Sequence, residues 1–380
     1  MNWIAPASLA AAAAALPMVL LVNRYLHRRR TTAALRIGSA NGISEERFVK
    51  IGGIEQWIGI RGEYRDNPVL LIVHGGPGSS CSIFTPLIRS WERHFTVVQW
   101  DQRGGGKTLR RNGQGGTGSL TMNRLIEDGI EAAEFLCSHL RQKRIVLMAA
   151  SFGSTFGLSM VRRRPDLFSA YVGSDQNVGL AGRGARDHQA AIERLRALGL
   201  HKGVAALERI GLDPGRWSAK DFFSAARWEM RSEPRTCARI MKLLRDSIWF
   251  SPAHTLLDIK YFFTGMNYSI EQLFPEVPGF DAWREGVHFD VPFFIFQGEN
   301  DVLTPTASAE AFFVDVVAPV KEMALIRDAG HFAAFLQPEQ FLRELLARVR
   351  PVVVSADRSI AASNAVAGEP RADRSVATSR

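Results

Sequence analysis

Cysteine is scarce. The 380 residues hold three, Cys81, Cys137 and Cys237, too far apart for a disulfide framework and without the histidine spacing of a metal-ligand cluster. This argues against a stapled secreted scaffold, predicts no structural metal, and fits a reducing compartment. Long runs of one charge are also missing. The formal net charge is +9, but the basic residues sit in short clusters such as Arg28 to Arg30 and Arg162 to Arg164, with neither a zinc-finger pattern nor an aromatic RNA-binding motif. No nucleic-acid partner is expected. From Ser355 onward large apolar residues and periodicity are both nearly absent, so residues 353–380 read as a disordered tail.

Uncharged stretches of any length are rare, with one exception. Trp3 to Val22 carries no acidic or basic side chain and has the length of a bilayer-spanning helix. Arg24, Arg28, Arg29, Arg30 and Arg36 follow it. Under the positive-inside rule, this asymmetry predicts a single-pass anchor within residues 1–35 and places the domain that follows on the cytoplasmic side of the membrane. A cleaved signal peptide and a soluble cytoplasmic chain with a misplaced start codon are the competing readings.

What remains has an ordinary globular composition, 46% hydrophobic and 22% charged. Short β-rich runs occur at Phe48 to Ile51, Trp57 to Ile60, Val69 to Val73, Thr96 to Trp100, Ile145 to Met148, Ala170 to Gly173, Phe293 to Phe296 and Met323 to Ile326. Helical periodicity separates several of them. It is clearest where Leu125, Ile126, Ile130, Ala133, Leu136 and Leu140 would cover one face of a sheet. The alternation predicts an α/β fold, a mostly parallel sheet flanked by helices. Residues 178–289 interrupt it with helical segments rich in Trp, Phe and Arg, which predicts a helical cap inserted between core segments 45–177 and 290–352.

Three places carry chemistry. After the apolar run "RIVLM" comes Ala149-Ala150-Ser151-Phe152-Gly153, the small-residue spacing that lets a serine sit on a sharp strand-to-helix turn. A serine hydroxyl needs a base, and the base an orienting acid. Asp301 follows the strand "VPFFIFQG", with Glu299 and Asp328 as alternative acids, and His331 follows the last strand behind Gly330. The glycine-rich turn "HGGPG" at 74–78 lets backbone N–H groups approach a reacting oxygen. Gly75 and Gly76 are therefore candidates for one oxyanion donor and Phe152 for the other. With the base role filled by His331, His74 reads as a structural residue.

"HGGPG" (74–78), "DQRGGGKT" (101–108), "SFGS" (151–154), "GENDVLTP" (298–305) and "AGHF" (329–332) together resemble the α/β-hydrolase family that contains the proline iminopeptidases. The resemblance runs from about Phe48 to Val349. It implies a serine hydrolase that needs no cofactor and releases an N-terminal residue, commonly proline, from a small peptide or amide. Asp101 and Arg103 then hold loops near the site. The family grips the substrate amine with acidic cap residues, for which Glu229 in "ARWEM" and Asp258 in "LLDIKYFF" are the counterparts. Phe152 stands where the family usually has tryptophan, and Ala149 where the first glycine of the serine motif is usual. An ester hydrolase, and a non-catalytic ligand-binding protein on the same fold, are the alternatives.

Overall fold

The computed structural model describes residues 4–355, apart from the side chains of residues 4–14, 180–185 and 214. Residues 356–380, most of the expected tail, lie outside the described part. The described part begins with helix α1 (Ile4–Ala34) and a hairpin of β1 (Ile43–Ile51) and β2 (Ile54–Gly62). Next come β3 (Val69–Val73), β4 (Thr96–Asp101), α2 (Gly106–Gly116), α3 (Met122–Leu140), β5 (Ile145–Ala150), α4 (Phe152–Arg163) and β6 (Phe168–Ser174). Helices α5 (Leu180–Ala197), α6 (His201–Ile210), α7 (Ala219–Arg231), α8 (Pro234–Phe250), α9 (Leu256–Leu273) and α10 (Ala282–Glu285) lead to β7 (Phe293–Gly298). After it come α11 (Thr306–Asp315), β8 (Lys321–Ile326), α12 (Ala333–Leu336) and α13 (Pro338–Glu344), which continues through the π-helical turn Leu345–Val349 as helix to residue 355.

The eight strands form one sheet in the order β1-β2-β4-β3-β5-β6-β7-β8. Pairing is antiparallel for β1/β2 and β2/β4 and parallel from β4 through β8. The residues explain the order. Strands covered on both faces need apolar side chains pointing both ways, and β3, β5 and β7 read as nearly continuous apolar runs, buried at every position. β1 lies at the edge and mixes charged and apolar positions.

Each face of the sheet has its own core. On one, Leu125, Ile126, Ala133 and Leu136 of α3 pack with Phe156 and Met160 of α4. On the other, Ile83, Phe84 and Trp91, from the 3-10 segment Cys81–Arg93, pack with Phe335 and Phe341. A buried ion pair ties strand ends to helix. Arg103 Nε lies 2.7 Å from Asp128 Oδ2 and its Nη2 lies 3.1 Å from Oδ1, while Nη2 also donates to the Gly52 carbonyl at 2.7 Å.

The membrane expectation is corrected here: among the described residues no helix is long and apolar enough to cross a bilayer. The stretch that looked like an anchor is rich in alanine, with Ala10 to Ala15 in a row and Pro6, Ser8 and Pro17 interspersed. A methyl group offers little apolar area to bury. The helix also runs unbroken into its arginine-bearing half, which is docked on protein. Arg24 donates to the carbonyls of Trp249 at 2.9 Å and His254 at 2.8 Å, and Arg28 to those of Ser251 at 3.1 Å and Pro252 at 2.7 Å.

Candidate active site

Ser151 is the one residue between the end of β5 and the start of α4, and its backbone sits at φ 53°, ψ −125°. A residue with a Cβ is strained there, and the strain holds the hydroxyl proud of the sheet edge. The turn closes only because its neighbours are small. A Cβ on Gly153 would lie 2.5 Å from the Val73 carbonyl oxygen and 2.6 Å from that of His74. The Ser151 N–H donates to the Ser174 carbonyl at 2.9 Å, which locks the turn to β6.

Ser151 Oγ is 2.9 Å from His331 Nε2, and His331 Nδ1 is 2.9 Å from Asp301 Oδ2. An ionised carboxylate only accepts, so Nδ1 carries the ring proton and Nε2 is left to accept from the serine hydroxyl. Asp301 is itself fixed by four donors: Leu303 N–H at 2.9 Å, Thr304 N–H at 3.0 Å, Thr304 Oγ1 at 2.7 Å and Gln297 Nε2 at 3.2 Å. Burial pushes its carboxyl up, but the imidazole and these hydrogen bonds outweigh burial and hold it below its ordinary value. Glu299 and Asp328, the other acids of this region, are exposed. Burial singles out Asp301.

The glycine-rich turn presses on the serine elbow. A Cβ on Gly75 would lie 2.7 Å from Ser151 Cβ and 3.0 Å from the Phe152 nitrogen, so only glycine brings this backbone so close. Gly76 follows at φ 120°. The Phe152 N–H, at the first position of α4, has no acceptor within its own helix. His74 is buried at the strand end. Gln102 N–H donates to its Nε2 at 3.4 Å and Nδ1 meets the Gly75 carbonyl at 2.8 Å. Burial pulls its pKa down to about 4, which keeps it neutral. Asp101 accepts from Ser80 Oγ at 2.6 Å and Lys107 N–H at 2.8 Å, and burial raises its carboxyl to about 6.

The helices between β6 and β7 approach the site from two sides. On α9, Ser269 Oγ donates to the Gly104 carbonyl at 3.0 Å, and Arg239 of α8 donates to the Asp328 carbonyl near the His331 loop. Glu229 is buried on α7. Asp258 is not brought to Ser151. Its Oδ2 caps its own helix, accepting from Thr255 N–H at 2.8 Å and Thr255 Oγ1 at 2.7 Å, and its Oδ1 pairs with Arg110 at 2.6 Å. The groove of about 550 Å³ that it lines is shared with Phe48, Trp57 and Lys107, and contains none of Ser151, Asp301 and His331. A capping box takes the same residue types as an amine clamp, and the sequence motif does not separate them.

Thr304 and Gln297 escaped the sequence reading, and so did one more acid. Asp175 follows β6 as Asp301 follows β7, and one ligand atom each of Asp175, Asp301 and His331 lie within 4.8 Å of one another. Its position just past the carboxyl end of a strand was the available signal.

Known proteins fit this architecture. The alpha/beta hydrolase fold family matches residues 68–199. "Probable aminopeptidase YbaC" of Bacillus subtilis (strain 168) is 25% identical over 323 residues, which is 80% of this chain and 95% of that protein. Among solved structures, a proline iminopeptidase of Mycobacterium smegmatis shares 18% identity at a TM-score of 0.57, over 82% of this chain and all of that one (100%). A thermophilic esterase of Thermogutta terrifontis shares 17% at 0.53, over 82% and 99%. The two structures are alike in fold, and their names differ in substrate.

Proposed function

We propose that this chain, which has the α/β-hydrolase fold, is a serine hydrolase working through an acyl-enzyme, and that it releases an N-terminal residue from small peptides or amides as proline iminopeptidases do. The observation that carries the reading is the unbroken relay from Ser151 Oγ through His331 to Asp301, 2.9 Å at each step, beside a glycine turn packed on the elbow. His331 Nε2 takes the hydroxyl proton as Ser151 Oγ attacks the carbonyl carbon. The oxygen that becomes negative meets the N–H of Phe152 and of the Gly75–Gly76 turn. His331 then returns the proton to the leaving amine, and water repeats the cycle on the acyl-enzyme. Asp301 stays ionised and keeps the imidazole in its working tautomer.

The amine-releasing specificity is supported by the aminopeptidase name of the relative and by the motifs at 74–78 and 101–108. Glu229 is the acid proposed to meet the substrate ammonium. Ester hydrolysis is the second reading, favoured by the commitment of Asp258 to Thr255 and Arg110. A fluorophosphonate probe is expected to label the protein, and Ser151→Ala to abolish labelling. Label retained in that variant removes Ser151 as nucleophile, and saturable ligand binding without any probe reaction would favour a binding protein. Turnover of proline naphthylamide supports the peptidase; cleavage of short acyl esters with no need for a free amine supports the esterase.

A further inference from the structure

Two strained residues face each other behind the imidazole. Asp175, just past β6, has φ 50°, and Phe332, directly after His331, has φ 67°. Side chains with a Cβ rarely adopt this left-handed region, so each needs something to hold it there. They hold one another. Asp175 Oδ2 accepts the Phe332 N–H at 3.1 Å and Oδ1 accepts the Ala333 N–H at 3.2 Å. The carboxylate is therefore bound to the two peptide groups that follow the histidine. On its own side the Ser174 hydroxyl donates to Oδ2 at 3.4 Å. The titratable groups that face it are His331, from the loop after β8, and Asp301, from the loop after β7.

We propose that Asp175 is a second carboxylate of the site, a positioning residue that fixes the His331 ring against Ser151 through the two amides and adds a negative charge beside the imidazole. The inference rests on the serine-hydrolase reading. Asp301 and Asp175 divide the work. Asp301 bonds the ring nitrogen and sets the tautomer; Asp175 bonds the backbone and sets where the ring stands. Without it Phe332 keeps its ring packing on Phe84 but loses the hydrogen bonds to its own N–H and to that of Ala333, and relaxation out of the left-handed conformation, one peptide from His331, carries Nε2 away from Ser151 Oγ. Burial raises the Asp175 carboxyl to about 7, with His331 opposing the rise and Asp301 adding to it, so its charge changes near neutral pH.

The test measures fluorophosphonate labelling rates as a function of pH. Wild type must label at Ser151 first; if it does not, the hydrolase reading fails before this one is reached. In Asp175→Asn and Asp175→Ala, checked as folded by near-ultraviolet circular dichroism, the rate per folded molecule is expected to fall by about 10- to 100-fold, the effect of an ångström-scale misplacement. The acid side of the rate profile should also change, because the variants lack the carboxyl that ionises near neutral pH beside the imidazole. A purely structural role would lower the melting temperature and leave both readouts alone. Rates within about twofold of wild type and an unmoved limb would overturn the proposal. If neither variant folds, the low-field imidazole proton resonance of the wild type decides: two ionisation steps support Asp175 beside His331, and a single step overturns it.

Discussion

A hydroxyl, a ring and a carboxylate form the relay of the proposed site, and their residues differ in how far they could be read in advance. Ser151 and His331 stood out because each follows a strand in a small-residue setting that little else requires. Three acids competed for the third role, and burial behind Thr304 and Gln297 separates Asp301 from exposed Glu299 and Asp328. Asp301→Asn should lower kcat by about 10³- to 10⁴-fold with a small change in KM, since an amide stabilises the wrong tautomer of the ring; steady-state kinetics on the best naphthylamide or ester checks this. Glu229→Gln should raise KM for amino-acyl naphthylamides by about tenfold, the loss of one charge-assisted contact, and leave KM for neutral esters unchanged. Equal effects on both substrates would show that Glu229 supports the cap and does not meet an amine.

Elements show where local pattern misleads. The first helix is long and uncharged over its first half, which is why it reads as a membrane span; that half is rich in alanine, and the second half is a strut. Arg24 is buried, and its Nε and Nη2 donate to the carbonyls of residues 249 and 254. Next in line, the His254 ring meets Ser82 Oγ at 3.2 Å, Ser82 meets Ser80 at 2.8 Å, and Ser80 bonds Asp101, so α1 braces the segment that follows the glycine turn. Arg24→Ala is expected to destabilise the protein by about 2 kcal/mol, the worth of charged hydrogen bonds left unmade, and to speed hydrogen exchange in residues 249–258. Denaturant titration and exchange mass spectrometry measure the two effects. Asp128→Asn breaks the pair that ties Arg103 to α3 and should destabilise by about 3–5 kcal/mol in the same titration, because it leaves a buried guanidinium without its counter-charge.

On the scale of the whole molecule, buried titratable groups beneath the site link stability to pH. His74 has an ordinary pKa of 6.5 and a folded value near 4. The unfolded chain therefore takes up a proton as pH falls below 6.5 while the native chain does not, and stability is lost across that window, by about 3 kcal/mol in full. Asp101 works the other way. Its folded value near 6 lies above the ordinary 3.8, so the native chain holds the extra proton and loses stability as pH rises through that range. Wild type alone thus shows a damped slope. The difference between wild type and His74→Gln isolates the histidine: urea titrations at pH 7 and pH 4.5 should find the variant losing less stability on acidification.

The sequence by itself determined the α/β class, since apolar runs that must be covered on both faces alternate with amphipathic helices and admit few other arrangements. It also made the serine turn legible, because a strained turn tolerates so few residue types, whereas the acid and the histidine were sought after later strands because folds of this type carry them in that order. Tertiary structure decided what depends on neighbours distant in the chain. Burial chose Asp301 among the acids, packing against residues 249–254 made α1 a strut, the capping box took Asp258, and the fold of the β6 end toward the His331 loop placed Asp175. A carboxylate or an alanine-rich helix has no fixed role until its surroundings set its solvation and its partners, and those surroundings are written nowhere near it in the sequence.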